Sequence, residues 1–174
     1  MKIGLFYGSN TGNTEINAGL IKKELDKVDP NMCDIHNIGL VDVKKMEEYD
    51  YMIVGCPTWN VGELQDDWAI KFDSLNDLKL KGKKIAMFGV GDQFGYGDNF
   101  CDAVGILGYR FEARGAELVG FTDGRDYQYT NSAAVEEGVF LGLVLDDDNQ
   151  NNLTDERIDY WVTDLLYEFG IKSA

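Results

Sequence analysis

Histidine occurs once in this 174-residue sequence, proline twice and cysteine three times, and each scarcity closes off a kind of chemistry. His36 alone, with no CxxC pair, leaves a zinc site almost without ligands. It is an equally thin basis for a hydrolytic triad, and no Gly-x-Ser-x-Gly surrounds Ser9. Cys33, Cys56 and Cys101 are odd in number and unpaired in spacing, so they read as reduced thiols of a cytoplasmic protein. No uninterrupted apolar run approaches the roughly 20 residues of a membrane span. The opening Met1-Lys-Ile-Gly-Leu-Phe-Tyr7 reads as a strand, not a leader. Positive charge is scarce as well: 16 Lys and Arg stand against 31 Asp and Glu, a net charge of -15. Like charges repel, which argues against nucleic acid, an anionic membrane or membrane insertion, and favours basic-faced protein partners.

Apolar runs alternate with helical segments, and no repeat or linker divides them, so residues 1–174 read as one domain and a monomer is expected. A chain of this length buries roughly 70% of its unfolded surface. Residues 3–7, 51–55 and 85–90 are short continuous apolar runs, the mark of strands covered on both faces. Residues 31–36 form a weaker strand, and Leu118-Val-Gly-Phe121 with Phe140-Leu-Gly-Leu-Val144 look like two pieces of one further strand. Helices are expected over about 14–27 (with Ala18, Ile21, Leu25 and Val28 on one face), 67–76, 101–114 and 154–169. The last begins Thr154-Asp-Glu-Arg157, read as a cap with acids in its first turn. Strands alternating with helices imply an α/β doubly wound parallel sheet of five strands with right-handed crossovers. In such sheets a ligand sits beyond the carboxyl ends of the strands.

Three loops follow the first, third and fourth strands and open on that one edge. The first is Gly8-Ser-Asn-Thr-Gly-Asn-Thr14. Ser9, Thr11 and Thr14 bring hydroxyls, Asn10 and Asn13 bring amides, and Gly8 and Gly12 permit a tight turn into a helix. That is a cradle for phosphate built from hydrogen bonds and the helix end. No Lys or Arg lies between Lys2 and Lys22, which separates the loop from a Walker motif and suits a monophosphate without metal. The second loop, Pro57-Thr-Trp-Asn-Val-Gly62, offers Trp59; the third, Gly91-Asp-Gln-Phe-Gly-Tyr-Gly-Asp-Asn-Phe100, offers Tyr96. Two aromatics on separate loops could close on both faces of one flat ring, each stack adding roughly 0.5–1.5 kcal/mol beyond area burial. Flavin mononucleotide (FMN) answers that description of ring plus phosphate. Trp161, on an apolar stripe with Ile158, Leu165 and Phe169, reads as core instead, and Trp68 as packing.

Glu63, Asp66, Asp67, Asp92, Asp98 and Asp102 crowd the second and third loops. Full reduction leaves a flavin ring negative, so uncompensated carboxylates lower its potential, each 59 mV corresponding to about 1.4 kcal/mol.

These loops resemble the three FMN-binding loops of flavodoxins, and the resemblance covers essentially the whole chain. Residues from about Thr122 to Leu141 resemble the insertion of the long-chain subgroup, and the ending Gly142-Leu-Val-Leu-Asp-Asp-Asp-Asn-Gln150 is similar to that subgroup's. The resemblance implies strand order 2-1-3-4-5 and a low-potential, one-electron carrier shuttling between semiquinone and hydroquinone on non-covalent FMN, and no enzyme. It implies phosphate held by Ser9, Asn10, Thr11, Gly12, Asn13 and Thr14, and a ring between Trp59 (inner) and Tyr96 (outer). Pro57, Thr58, Asn60, Val61, Gly62 and Phe100 complete the ring loops, and backbone groups at Gly91, Asp92 and Asn99 meet the pyrimidine edge. In the family the peptide after the position of Asn60 turns toward N5 on reduction; here it is Asn60-Val61, and a β-branched residue resists a positive φ. Gly97 departs from the bulkier residue that often follows the outer aromatic. Partners implied are a ferredoxin/flavodoxin-NADP reductase or other low-potential oxidoreductases.

Other readings fit less well. Gly89-Val-Gly91 with Gly95 imitates a dinucleotide loop but follows a late strand. A phospho-receiver needs an aspartate where Val54-Gly55-Cys56 stands. An FMN-dependent quinone reductase of the same fold would have to admit a nicotinamide dinucleotide past an acidic rim.

Overall fold

The computed structural model describes residues 1–172. Its elements run β1 (Ile3–Tyr7), α1 (Asn13–Asp26), β2 (Cys33–Asn37), β3 (Tyr51–Gly55), β4 (Thr58–Trp59), β5 (Glu63–Leu64), α2 (Asp66–Lys71), β6 (Lys84–Val90), α3 (Asp102–Ala113), β7 (Glu117–Val119), β8 (Thr122–Asp123), β9 (Val135–Glu136), β10 (Val139–Phe140), β11 (Gly142–Leu145) and α4 (Thr154–Glu168). The central sheet is parallel, in the order β2-β1-β3-β6-β11, with β7 also on β6. β7 pairs with Lys84, Ile85 and Ala86 of β6, and β11 with Met87 through Val90. The fifth position is therefore one strand in two pieces, as their sequences suggested. The intervening segment folds into the small antiparallel sheet β8-β10-β9.

Period-two alternation sends neighbouring side chains to opposite faces. Leu5 joins the layer formed with α1 and α4, where Ile21, Leu25, Trp161 and Phe169 are buried. Phe6 joins the other, with Trp68, Phe111 and Phe140. Helices on both faces explain why these strands read as unbroken apolar runs.

Three expectations shift. Val28 leaves the α1 face: the helix stops at Asp26, and Val28 lies beyond it, 43% exposed. The helix expected over 67–76 is α2 followed by a 3₁₀ segment, Asp73–Asp77. The tighter turn carries Leu75 and Leu78, three apart, into the core together. Thr154 is no cap; it is the first residue of α4, and its hydroxyl donates to Asp147 at 2.6 Å. A further 3₁₀ segment, Val43–Glu48, had no marked signal. Gly105 interrupts the propensity of α3 for a packing reason: a Cβ there would collide with the backbone carbonyl of Ala133 in the insertion.

Candidate functional site

Neighbouring strands end in step on one edge. The Gly8 N–H donates to Gly55 O, Cys56 N–H to Phe88 O and Gly91 N–H to Leu145 O. The three loops leave the sheet side by side around a cavity of about 390 Å³, within the size range of ligand sites. Its wall contains Thr11, Asn13 and Thr14 from the first loop, and Pro57, Thr58, Trp59 and Asn60 from the second. Gly91, Asp92, Tyr96, Asn99 and Phe100 come from the third. Ser9, Asn10 and Gly12 shape the first loop without lining the cavity, and Val61 and Gly62 form the tip of the β4–β5 hairpin behind it. Val90, Cys101 and Asp148 line it without having been anticipated. Asp148 lies nearly fifty residues past the third loop, where nothing local in the sequence marks it.

In the first loop, Gly12 takes φ 95°, a left-handed conformation that disfavours a side chain. Its N–H donates to Ser9 Oγ at 3.0 Å, so the Ser9 hydroxyl builds the turn. No side chain caps α1, which leaves N–H groups at its start available to an anion. Thr14 is buried, and its Oγ1 has no hydrogen-bond partner. The second such atom among the described residues is Trp59 Nε1. Buried polar atoms are rarely left unpaired; both of these belong to residues of one cavity wall.

Trp59 is half-buried on β4, which pairs with β5 through Trp59 and Glu63. Asn60 at φ 46° and Gly62 at φ 76° make the turn between them, while Val61 avoids positive φ and is 76% exposed. The Thr58 hydroxyl accepts from Ala103 N–H at 3.0 Å, fixing the hairpin to the start of α3. Tyr96 is 56% exposed. Its loop is an Asx turn: Asp92 Oδ1 accepts from Phe94 N–H and Gly95 N–H at 3.0 and 2.8 Å. The insertion braces the same loop, since Thr130 and Asn131 N–H both donate to Gly97 O. Phe100 is fully buried and stacks against Tyr129 of the insertion, 5.6 Å between centroids. Of the backbone groups expected at the pyrimidine edge, the N–H of Gly91 is engaged by Leu145 O and that of Asn99 by Tyr96 O. Asp92 N–H has no protein partner among the described residues.

No lysine or arginine lines the cavity. The hydrogen bond from Gly95 N–H holds the Asp92 carboxyl below its ordinary range, with Asn149 and Phe94 adding to it and partial burial opposing. Asp148 moves the other way: partial burial, then the charges of Asp92, Asp146 and Asp147, raise it. Asp102 is tied up structurally, accepting from Asn99 Nδ2 and Ala133 N–H, and Asp67 accepts from Gln65 Nε2. The acidic rim is thus partly a set of loop ties. Cys56 is buried and its thiol pushed up to about 12; burial, then Asp146, raises Cys101 as well. Both stay protonated near neutrality and are no nucleophiles.

The flavodoxin family model matches residues 5–161. A flavodoxin of Nostoc sp. is 46% identical over 170 residues, covering 98% of each chain. Flavodoxin 2 of Escherichia coli is 42% identical over 172 residues, again covering 98% of each. The crystal structure of Fusobacterium nucleatum flavodoxin bound to flavin mononucleotide superposes with a TM-score of 0.90 at 33% identity, over 96% of this chain and 98% of that one. Full-length identity, shared topology and three loops on one sheet edge agree: this chain belongs to the flavodoxin family.

Proposed function

We propose that this chain is an electron carrier, not an enzyme, and passes electrons one at a time at low potential on non-covalently bound FMN. The observation that carries the reading is one cavity joining a cation-free anion loop, with its unpartnered Thr14 hydroxyl and uncapped helix start, to two aromatics on separate loops. Thr11, Asn13, Thr14 and the first N–H groups of α1 would hold the phosphate, with Ser9, Asn10 and Gly12 shaping the loop around it. Trp59 and Tyr96 would hold the ring, supported by Pro57, Thr58, Asn60, Val61, Gly62 and Phe100. Asp92 N–H and the carbonyls of Gly91 and Asn99 suit the pyrimidine edge. Bound FMN supplies the one-electron chemistry. The protein's share is to exclude water from one side of the ring and to surround it with negative charge. Asp92 and Asp148 face the cavity with no cation beside them, which disfavours added negative charge and lowers the potential.

Among the described residues no helix is long and apolar enough to cross a membrane. The net charge of -15 suits a cytoplasmic monomer meeting basic-faced partners, such as a ferredoxin/flavodoxin-NADP reductase or another low-potential oxidoreductase. Anaerobic mixing of the FMN-loaded protein with NADPH tests the carrier reading. Flavin absorbance is expected to persist until a reductase is added, and then to fall through a one-electron stage. Rapid bleaching by NADPH alone would overturn it in favour of a quinone reductase.

A further inference from the structure

The side chain of Gln65 is fully buried between the two halves of the site, and its amide has only one consistent orientation. Trp68 N–H can only donate, and it faces Gln65 Oε1 at 3.3 Å. The Asp67 carboxylate can only accept, and its Oδ2 lies 2.9 Å from Nε2. The second hydrogen of Nε2 goes to Asn10 Oδ1 at 2.8 Å. Asn10 must therefore present its carbonyl to Gln65, which leaves its own NH₂ group as the outward donor, and Nδ2 has no protein acceptor among the described residues. Gly8 packs directly on this amide: a Cβ there would collide with Gln65 Oε1 and lie 2.7 Å from Trp68 Cδ1. Trp68 is itself anchored, its indole N–H donating to Gly55 O at 3.0 Å.

The geometry points to Gln65 as a positioning residue for anion binding: through the Asn10 carbonyl it fixes the first loop, whose Thr11, Asn13 and Thr14 line the cavity, in the shape that would receive the anion. Gln65 also follows directly on β5, the second strand of the Trp59 hairpin. One side chain thus ties the loop that would hold the phosphate to the hairpin that would hold the ring.

This inference rests on the FMN reading above, and the test separates the two. FMN and riboflavin, which lacks the phosphate, are titrated by fluorescence quenching into the native apoprotein, Gln65→Met, Asn10→Ala and the double variant. Gln65→Met is expected to weaken FMN on the order of tenfold, the value of one buried hydrogen bond, and riboflavin less than about threefold. In the Asn10→Ala background the same change should alter FMN affinity less than about twofold, because the residue it acts through is gone. Equal losses in both backgrounds, or parallel losses for both ligands, would reduce Gln65 to a packing residue and overturn the inference. A companion measurement requires no substitution: on adding inorganic phosphate to the native apoprotein, the side-chain NH₂ resonances of Asn10 are expected to shift. Resonances that stay fixed as phosphate saturates the loop would contradict it. Failure of the native protein to bind FMN at all would instead strike the functional reading.

Discussion

Thr14 is the residue where the site most clearly departs from ordinary folding logic. Its hydroxyl is buried and unpartnered, so in the free protein it is a desolvated group without return. Thr14→Val keeps the shape and removes that group: thermal stability of the apoprotein is expected to hold or rise, while FMN affinity falls about tenfold by fluorescence titration. Trp59→Ala and Tyr96→Ala should each weaken FMN binding as well, and unaltered binding in both would remove the ring clamp. Asp92 makes the third loop pH-sensitive. Its carboxyl is depressed from 3.8, chiefly by Gly95 N–H, so its contribution is full above that value and is lost as pH falls through the lower folded one. FMN release measured by stopped flow should accelerate in that acid window, and Asp92→Asn should flatten the dependence. The burial of Trp161 was legible from helical spacing and that of Trp68 from its place near a helix start, and the position of Trp59 and Tyr96 on one cavity wall from their loops. Gln65 and Asp148 were not, because their roles depend on contacts across the fold that no local pattern encodes.

The elements were legible where burial imposes a period. β1, β3 and β6 are covered on both faces and read as continuous apolar runs, and the split fifth strand could be seen from its two halves. The β4–β5 hairpin was hidden, because two-residue strands carry no alternation. The 3₁₀ segments were hidden too, since propensity does not separate them from helix or loop. The insertion turned out to be a brace. Phe140 packs edge-on against Phe100 at 5.9 Å, so the small sheet supports the third loop directly. Phe140→Ala is expected to cost about 3–5 kcal/mol of stability in denaturant unfolding and to weaken FMN in the folded protein. Trp161→Ala, on the opposite face, should cost a similar amount and leave the affinity of the folded protein unchanged. If Phe140→Ala spared FMN binding, the insertion would only protect an edge.

At the scale of the molecule, charge governs encounter. A chain at -15 attracts basic partners and repels an anionic ligand, so salt should act with opposite signs on the two. Association with a basic reductase is expected to slow as ionic strength rises, whereas FMN affinity should increase, since no lysine or arginine lines the cavity and screening removes only repulsion. Equal slopes in both experiments would imply a hidden cation at the phosphate. The most direct measurement is titration of purified apoprotein with FMN, followed by flavin fluorescence. One-to-one quenching is expected, with riboflavin, which lacks the anionic tail, bound more weakly. A flavin that stays bright and free, or binds no better than riboflavin, would contradict a site in which uncharged donors grip a phosphate and two rings enclose an isoalloxazine.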